Sequence, residues 1–348
     1  MIIKVSDSII SPLGVGSEVN FVKVSKGESM LRLHEDAEGL LQPYYASLFT
    51  ERRVFSELCI EAAEEALQGS GVDASSDKVL FVVSTTKGED LELYHSSEKI
   101  AKHFGNKNGV IVVSNACTSG VCAQITAARM LNTGKYDIAI VVGCDIQTPF
   151  IVSGFQSFKA LSDELCRPFD GARRGLNLGE AAAAMILRRT DDIEEGQWEY
   201  VAGGIHNDAN HISGPSRTGE GALRCLNDVR NGDFGDLAFV NLHGTASLYN
   251  DDMESVAINR AGLGEMPVNS LKGYYGHTMG AAGVLETIIS MKAVEHNIVL
   301  GTRGLVTVGT VENVNASNEN RSCGGNGFVK LLSGFGGSNA AVRWRIKR

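Results

Sequence analysis

The chain has 348 residues, 43% of them hydrophobic, with 40 glycines and only 6 prolines, a composition that excludes disordered and collagen-like classes. Its formal charge of -9 argues against a protein devoted to nucleic acid. The 7 cysteines are odd in number and contain no CxxC pair, so they are expected as free thiols in the reducing cytoplasm.

In chain order, residues 1–5 lead straight into a short apolar strand, without the long apolar core of a signal peptide. Residues 53–67, RVFSELCIEAAEEAL, place apolar side chains at helical spacing and end in GSG, which predicts a helix. KVLFVVS (78–84) and GVIVVS (109–114) are β-branched runs of the kind buried on both faces of a sheet. A helix of small residues is predicted from Cys117 to Asn132, then a strand at YDIAIVVG. AAAAMILRR and EYVAGGIHN read as further strands. The second half repeats the pattern: a strand at DLAFVNL before His243, helices after Asp251 and after His277, and closing strands at GFVKLLS and AAVRWRI. Residues 301–327, rich in Asn, Gly and Ser, read as a surface loop with one strand. The longest uncharged stretch, 109–128, is interrupted by Ser, Asn, Thr and Gln and predicts a buried strand and helix, not a membrane span. The N-x-S sequons at Asn315 and Asn320 are chance matches if the chain is cytoplasmic. Alternating strands and helices in two comparable blocks predict two α/β halves, 1–190 and 191–348.

Three segments carry chemistry. NACTSG sets Cys117 between a strand and a helix, where the positive end of the helix dipole favours thiolate; an unaided thiol, with a pKa of about 8.5, is only slightly ionised at neutral pH. Buried inert cysteines are common, and Cys59, Cys122, Cys144, Cys166, Cys225 and Cys323 have no such setting. NLHGTAS and SLKGYYGHTMGAAG place His243 and His277 at strand-to-helix boundaries, with Lys272 five residues before the second. A lone histidine of this kind is more often structural; two, with a lysine, suggest neutral imidazoles donating to one developing negative charge. His34, His95, His103, His206, His211 and His296 have no comparable context. H-x-x-x-H is absent and the cysteines do not cluster, so no metal is expected. With no GxxxxGK loop and no full GxGxxG after a strand, no nucleotide or flavin cofactor is expected either.

These segments resemble the β-ketoacyl-acyl carrier protein synthases, condensing enzymes of the thiolase fold, and the resemblance covers nearly the whole chain. It is carried by ISPLG (10–14), NACTSG, GFQSFKALS with Phe158, CRPFDGARRGLNLGEAAA with Glu180, HGTASLYNDDME with Asn250 and Glu254, SLKGYYGHTMGAAGVLE with Ser270, and GFGGSNA (334–340). It implies a five-layered α-β-α-β-α sandwich of two similar halves. It implies Cys117 as nucleophile, His243 and His277 as the electrostatic clamp, and Lys272 as the residue orienting the second His. The backbone N–H groups of Cys117 and Phe335 would form the oxyanion hole. Thr245, Ser247, Asp251 and Glu286 would support the site, and Phe335 would also gate acyl entry.

The implied reaction is decarboxylative condensation of an acyl-enzyme thioester with a malonyl thioester, with acyl carrier protein as partner and a homodimer, or a heterodimer with a related subunit, as the assembly. The departures are Ser247 in place of a second Thr, LNLGEAAA in place of a more aromatic version, and only 116 residues before Cys117. A non-catalytic chain-length-setting subunit and a thiolase acting on acyl-CoA are the alternatives. Docking of an acidic carrier is expected on a local basic patch drawn from Arg52, Arg53, Lys99, Lys102, Arg129, Lys135, Arg173 and Arg174.

Overall fold

A computed structural model describes every residue except 36–38, 40 and 209. Five strands frame the first half: β1 (Ile2–Ser11), β2 (Val79–Ser84), β3 (Val110–Val113), β4 (Ile138–Asp145) and β5 (Ala181–Arg189). Five frame the second: β6 (Trp198–Asn207), β7 (Leu237–Asn241), β8 (Pro267–Asn269), β9 (Gly327–Gly334) and β10 (Ser338–Ile346). The spatial orders are β1-β5-β4-β2-β3 and β6-β10-β9-β7-β8, the same permutation twice. The first two pairings in each half are antiparallel and the last two parallel. The halves are joined edge to edge where β1 pairs with β6 through Ile3–Glu199 and Lys4–Trp198. The strands therefore form one continuous path, not two separate sheets.

Helices complete five layers. On the outer face of the first half, α2 (Phe55–Leu67) packs on β1, β4 and β5, with α3 (Leu93–His103) beside it. Between the half-sheets lie α4 (Ser119–Asn132), which touches β2, β4 and β5 on one side and β6 and β10 on the other, and α9 (Ala282–Glu295), which bridges β5 and β9. The outer face of the second half carries α6 (Glu220–Arg230) and α7 (Leu248–Arg260). This layering explains the unbroken apolar runs. Along β4, Ala139 and Val141 join the core of the middle layer, while Ile140, Val142 and Cys144 join the core under α2. The expectation for GVIVVS is corrected. β3 is the outermost strand of its half, and Val110, Ile111, Val112 and Val113 are only half-buried.

The middle layer sets the position of the site. Where α4 crosses α9, a Cβ on Gly120 would lie 2.8 Å from the Cα of Gly283, so only glycine permits this approach. Gln124 ties the crossing together: its amide donates to the Gly283 carbonyl (2.9 Å) and Thr287 Oγ1 (3.1 Å), and its oxygen accepts from Trp344 Nε1 (3.0 Å). Each of these two helices follows the third strand of its half. The turns before them, which carry Cys117 and His277, are thus topological equivalents and meet at the carboxyl ends of the parallel strands, where open α/β sheets bind ligands.

Among the described residues five helices lie in segments the apolar periodicity left unassigned: α1 (Ser17–Ser25), α3, α5 (Pro149–Ser157), α6 and the one-turn α8 (Lys272–Tyr275). The loop at 301–327 holds two two-residue strands, Asn315–Ala316 and Arg321–Ser322. Among the described residues no helix is long and apolar enough to cross a membrane.

Candidate active site

Each of the three segments turns sharply as it enters the site. Ala116, Ala246 and Met279, all non-glycine, have φ of 48°, 64° and 55°. They lie one residue before Cys117, three after His243 and two after His277. Strained backbone persists only where its surroundings hold it, and it clusters at functional sites.

The turns bring the side chains together. The Cys117 sulfur and one ring nitrogen each of His243 and His277 lie within 4.8 Å of one another, all buried. The two imidazoles meet edge to face, with centroids 5.0 Å apart and planes at 79°. The Met279 backbone N–H donates to His277 Nδ1 (3.3 Å), which leaves the proton on Nε2. That Nε2 is buried without a protein partner, so its N–H is available to an acceptor in the pocket. Burial, with Lys272 and then the other nearby cations adding to it, holds both imidazoles well below the ordinary histidine range. Both are neutral at pH 7, and His277 presents its Nε2–H to the pocket.

Cys117 departs from expectation. Burial pushes its thiol up to about 11, outweighing the lowering influence of Lys272 and of a hydrogen bond from the Phe335 backbone N–H. α4 begins two residues after Cys117, and the helix dipole does not overcome the loss of water. The resting group is a thiol. The Phe335 N–H is directed toward the sulfur, and the Phe335 ring stacks on Phe155 (5.6 Å) and meets Phe158 edge-on (5.5 Å).

Buried acids hold the His243 loop. Glu254 accepts the backbone N–H groups of His243 (2.6 Å) and Gly244 (2.7 Å). Asp251 accepts those of Thr245 (2.9 Å), Ala246 (3.1 Å) and Phe169 (2.8 Å). Burial and the neighbouring Asp251 raise the Glu254 carboxyl to about 7. Thr245 Oγ1 and Ser247 Oγ lie 2.8 Å apart, so the hydroxyl of Ser247 is engaged. Behind the imidazoles Lys272, at the start of α8 (Lys272–Tyr275), is bonded to Glu286 Oε1 with both side chains buried. A third member went unnoticed in the sequence: Lys330, fully buried on β9, with Nζ 2.6 Å from Glu286 Oε2. Its signal was a single lysine on the inward face of an apolar strand. With two buried ammonium groups behind them, Cys117 and the two imidazoles read as a nucleophile and two donors; a divalent cation there would be repelled.

The site opens into a cavity of about 370 Å³ lined by Phe155, Phe158, Lys159, Leu176, Ile212, Tyr249 and Phe335, among others. His211, which has no comparable sequence context, also lines it. Arg174 and Lys159 contribute positive charge to its lining. Of the other basic candidates, Arg173 is removed: it is buried and paired with Asp252 (2.6 Å). Arg53, Lys99 and Lys102 pair with Glu61, Glu89 and Glu98.

The family model described as Beta-ketoacyl synthase, N-terminal domain, matches residues 50–192, and the corresponding C-terminal domain matches 199–305. The chain belongs to the beta-ketoacyl synthase family. It is 31% identical over 257 residues to 3-oxoacyl-[acyl-carrier-protein] synthase 2 of Rhizobium meliloti, covering 66% of this chain and 59% of the relative. The chain spans 48–62% of the length of the curated relatives it matches. Solved structures share its thiolase-like ketosynthase fold. A beta-ketoacyl synthase from Burkholderia phymatum superposes with a TM-score of 0.89 at 21% identity, covering 100% of this chain and 99% of that one. The ishigamide ketosynthase/chain length factor gives 0.90 at 22% identity, covering 100% and 99%.

Proposed function

We propose that this chain is an active condensing enzyme that joins an acyl group to a malonyl-derived carbon on acyl carrier protein, in fatty acid or polyketide-type chain extension. The observation that carries the reading is the convergence of Cys117 with two neutral imidazoles in one buried pocket. The Cys117 sulfur attacks the acyl-carrier thioester; the acyl group moves to Cys117 and the carrier leaves as a thiol. The backbone N–H groups of Cys117 and Phe335 hold the tetrahedral oxyanion. A malonyl thioester then seats its carbonyl oxygen between His243 and His277. As CO₂ leaves, the electrons of the broken C–C bond form an enolate held by both imidazoles. Its carbon attacks the acyl carbonyl, the C–S bond to Cys117 breaks, and the β-ketoacyl product remains on the carrier. Lys272 and Glu286 position this machinery, and Phe335, packed between Phe155 and Phe158, gates the acyl chain.

Retention of the thiol and both imidazoles disfavours a non-catalytic subunit. Among the pocket residues Cys117 is the sole cysteine, which disfavours a two-cysteine thiolase. The half-buried edge of β3 supports a dimer by sheet continuation, and a homodimer is the assembly we propose; one structural neighbour, ApeO from Xenorhabdus doucetiae, was solved in complex with its chain length factor. The units are 1–190 and 191–348, and all seven cysteines are free, which fits the cytoplasm. Purified protein incubated with acyl- and malonyl-carrier tests the reading: a β-ketoacyl-carrier product is expected, and its absence under conditions where an authentic synthase turns over overturns it.

A further inference from the structure

Lys330 is costly to bury, and nothing in the proposed steps requires it. It lies on the face of β9 that packs on the middle layer, with Phe328 and Leu332 in the same core. Its side chain is without solvent exposure. Nζ lies 2.6 Å from Glu286 Oε2 and donates to the Leu242 carbonyl at 3.1 Å, one residue before His243. The same strand runs on to Phe335, whose N–H meets the Cys117 sulfur. One side chain thus links the strand carrying the oxyanion donor, the segment carrying His243, and the helix following His277.

We infer that Lys330 is a positioning residue of the site: it holds Glu286 from the side opposite Lys272, anchors the backbone at Leu242, and leaves one uncompensated positive charge behind His243 and His277, which keeps both imidazoles neutral. The inference rests on the proposed condensation chemistry. The charge count is direct. Two ammonium groups share one carboxylate in a wall closed to water. Other charged or titratable groups around the imidazoles are Cys117 before α4, Glu254 and Asp251 on α7, with Arg173 near Asp251, Tyr275 on α8, and Asp145 at the end of β4. Glu254 and Asp251 spend their oxygens on backbone N–H groups and Asn250, and Asp145 spends its own on Thr85, Thr86, Lys87 and Gly280. Glu254 is the acid that also acts on Lys330, and with its carboxyl raised to about 7 it offsets only part of the cationic charge at neutral pH. Burial draws Lys330 itself down to about 8, so its charge is present through neutral pH and fades above it.

Lys330→Met leaves Glu286 paired with Lys272, so the buried carboxylate keeps a cation and the substitution does not strand a charge. Lys330→Met separates the two roles. CO₂ release from malonyl-carrier by the full chain is followed between pH 5 and 8. The acid limb of Lys330→Met is expected to move to higher pH by about one unit, a roughly tenfold relative loss at the acid end, since one pH unit is one decade in protonation. Lys330→Arg, which keeps the charge, is expected to retain the wild-type limb. If Lys330→Met does not fold, Lys330→Gln is compared with Lys330→Arg. Superimposable limbs for the neutral variant and an active wild type overturn the role of Lys330 alone. A wild type that releases no CO₂ overturns the condensation reading itself.

Discussion

Burial and the helix start act on Cys117 in opposite directions, and the thiol pushed up to about 11 shows burial prevailing. The thiolate fraction must then rise with pH throughout the neutral and mildly alkaline range. Alkylation of the free enzyme by iodoacetamide should accelerate about tenfold per pH unit from 7 to 10, because reactivity follows the thiolate. A plateau near pH 8.5 would show an ordinary thiol. The histidines are predicted to act after acylation. His243→Ala and His277→Ala should each lower condensation by about 10²–10³, the usual cost of one oxyanion donor, while leaving Cys117 acylation largely intact. Mass spectrometry of the acyl-enzyme alongside product assays checks the split. These residues were legible because Cys, His and Lys between glycines and small residues are poor packing choices. Lys330 and His211 were not, because one sits inside an apolar strand and the other in a polar loop, and only the fold brings them to the site.

At the scale of elements, the α4–α9 crossing governs whether Cys117 and His277 face each other. Gly120→Ala inserts a methyl 2.8 Å from Gly283 Cα, and overpacking of this kind costs about 1–3 kcal/mol. Urea unfolding should show that loss, with condensation falling more than folding alone explains; a variant of wild-type stability would mean the crossing is looser than described. Glu286→Gln leaves Lys272 and Lys330 without their shared carboxylate, and breaking a buried pair costs about 3–5 kcal/mol. The long apolar and helical-spaced segments were readable because each has one burial pattern throughout. α3 and α6 were not, since they are short and polar on the outside; α5 reads as an apolar run until its start is recognised from Thr148, whose hydroxyl accepts the Ile151 N–H, and Pro149. Nor does β-branching alone separate an edge strand from a central one, which is why β3 was misplaced.

For the whole molecule, the repeated strand order explains why two similar halves produce one pocket: a pseudo-equivalent pair of turns brings Cys117 from one half to His277 from the other, the pair to which the proposal assigns nucleophile and donor. The same architecture leaves β3 as an apolar edge, an arrangement prone to pair with another chain. Light scattering should find a dimer at micromolar concentration, since obligate interfaces commonly bury about 2,000 Å² or more; a stable monomer condensing at full rate would contradict the assembly.

The most direct test of the proposed chemistry is intact-protein and peptide mass spectrometry of the chain mixed with an acyl-carrier thioester and then with malonyl-carrier. The expected result is one acyl adduct, mapped to Cys117, that disappears on malonyl-carrier addition as β-ketoacyl-carrier forms, with no adduct in Cys117→Ala. An adduct on another cysteine, or product formed undiminished by Cys117→Ala, would contradict it.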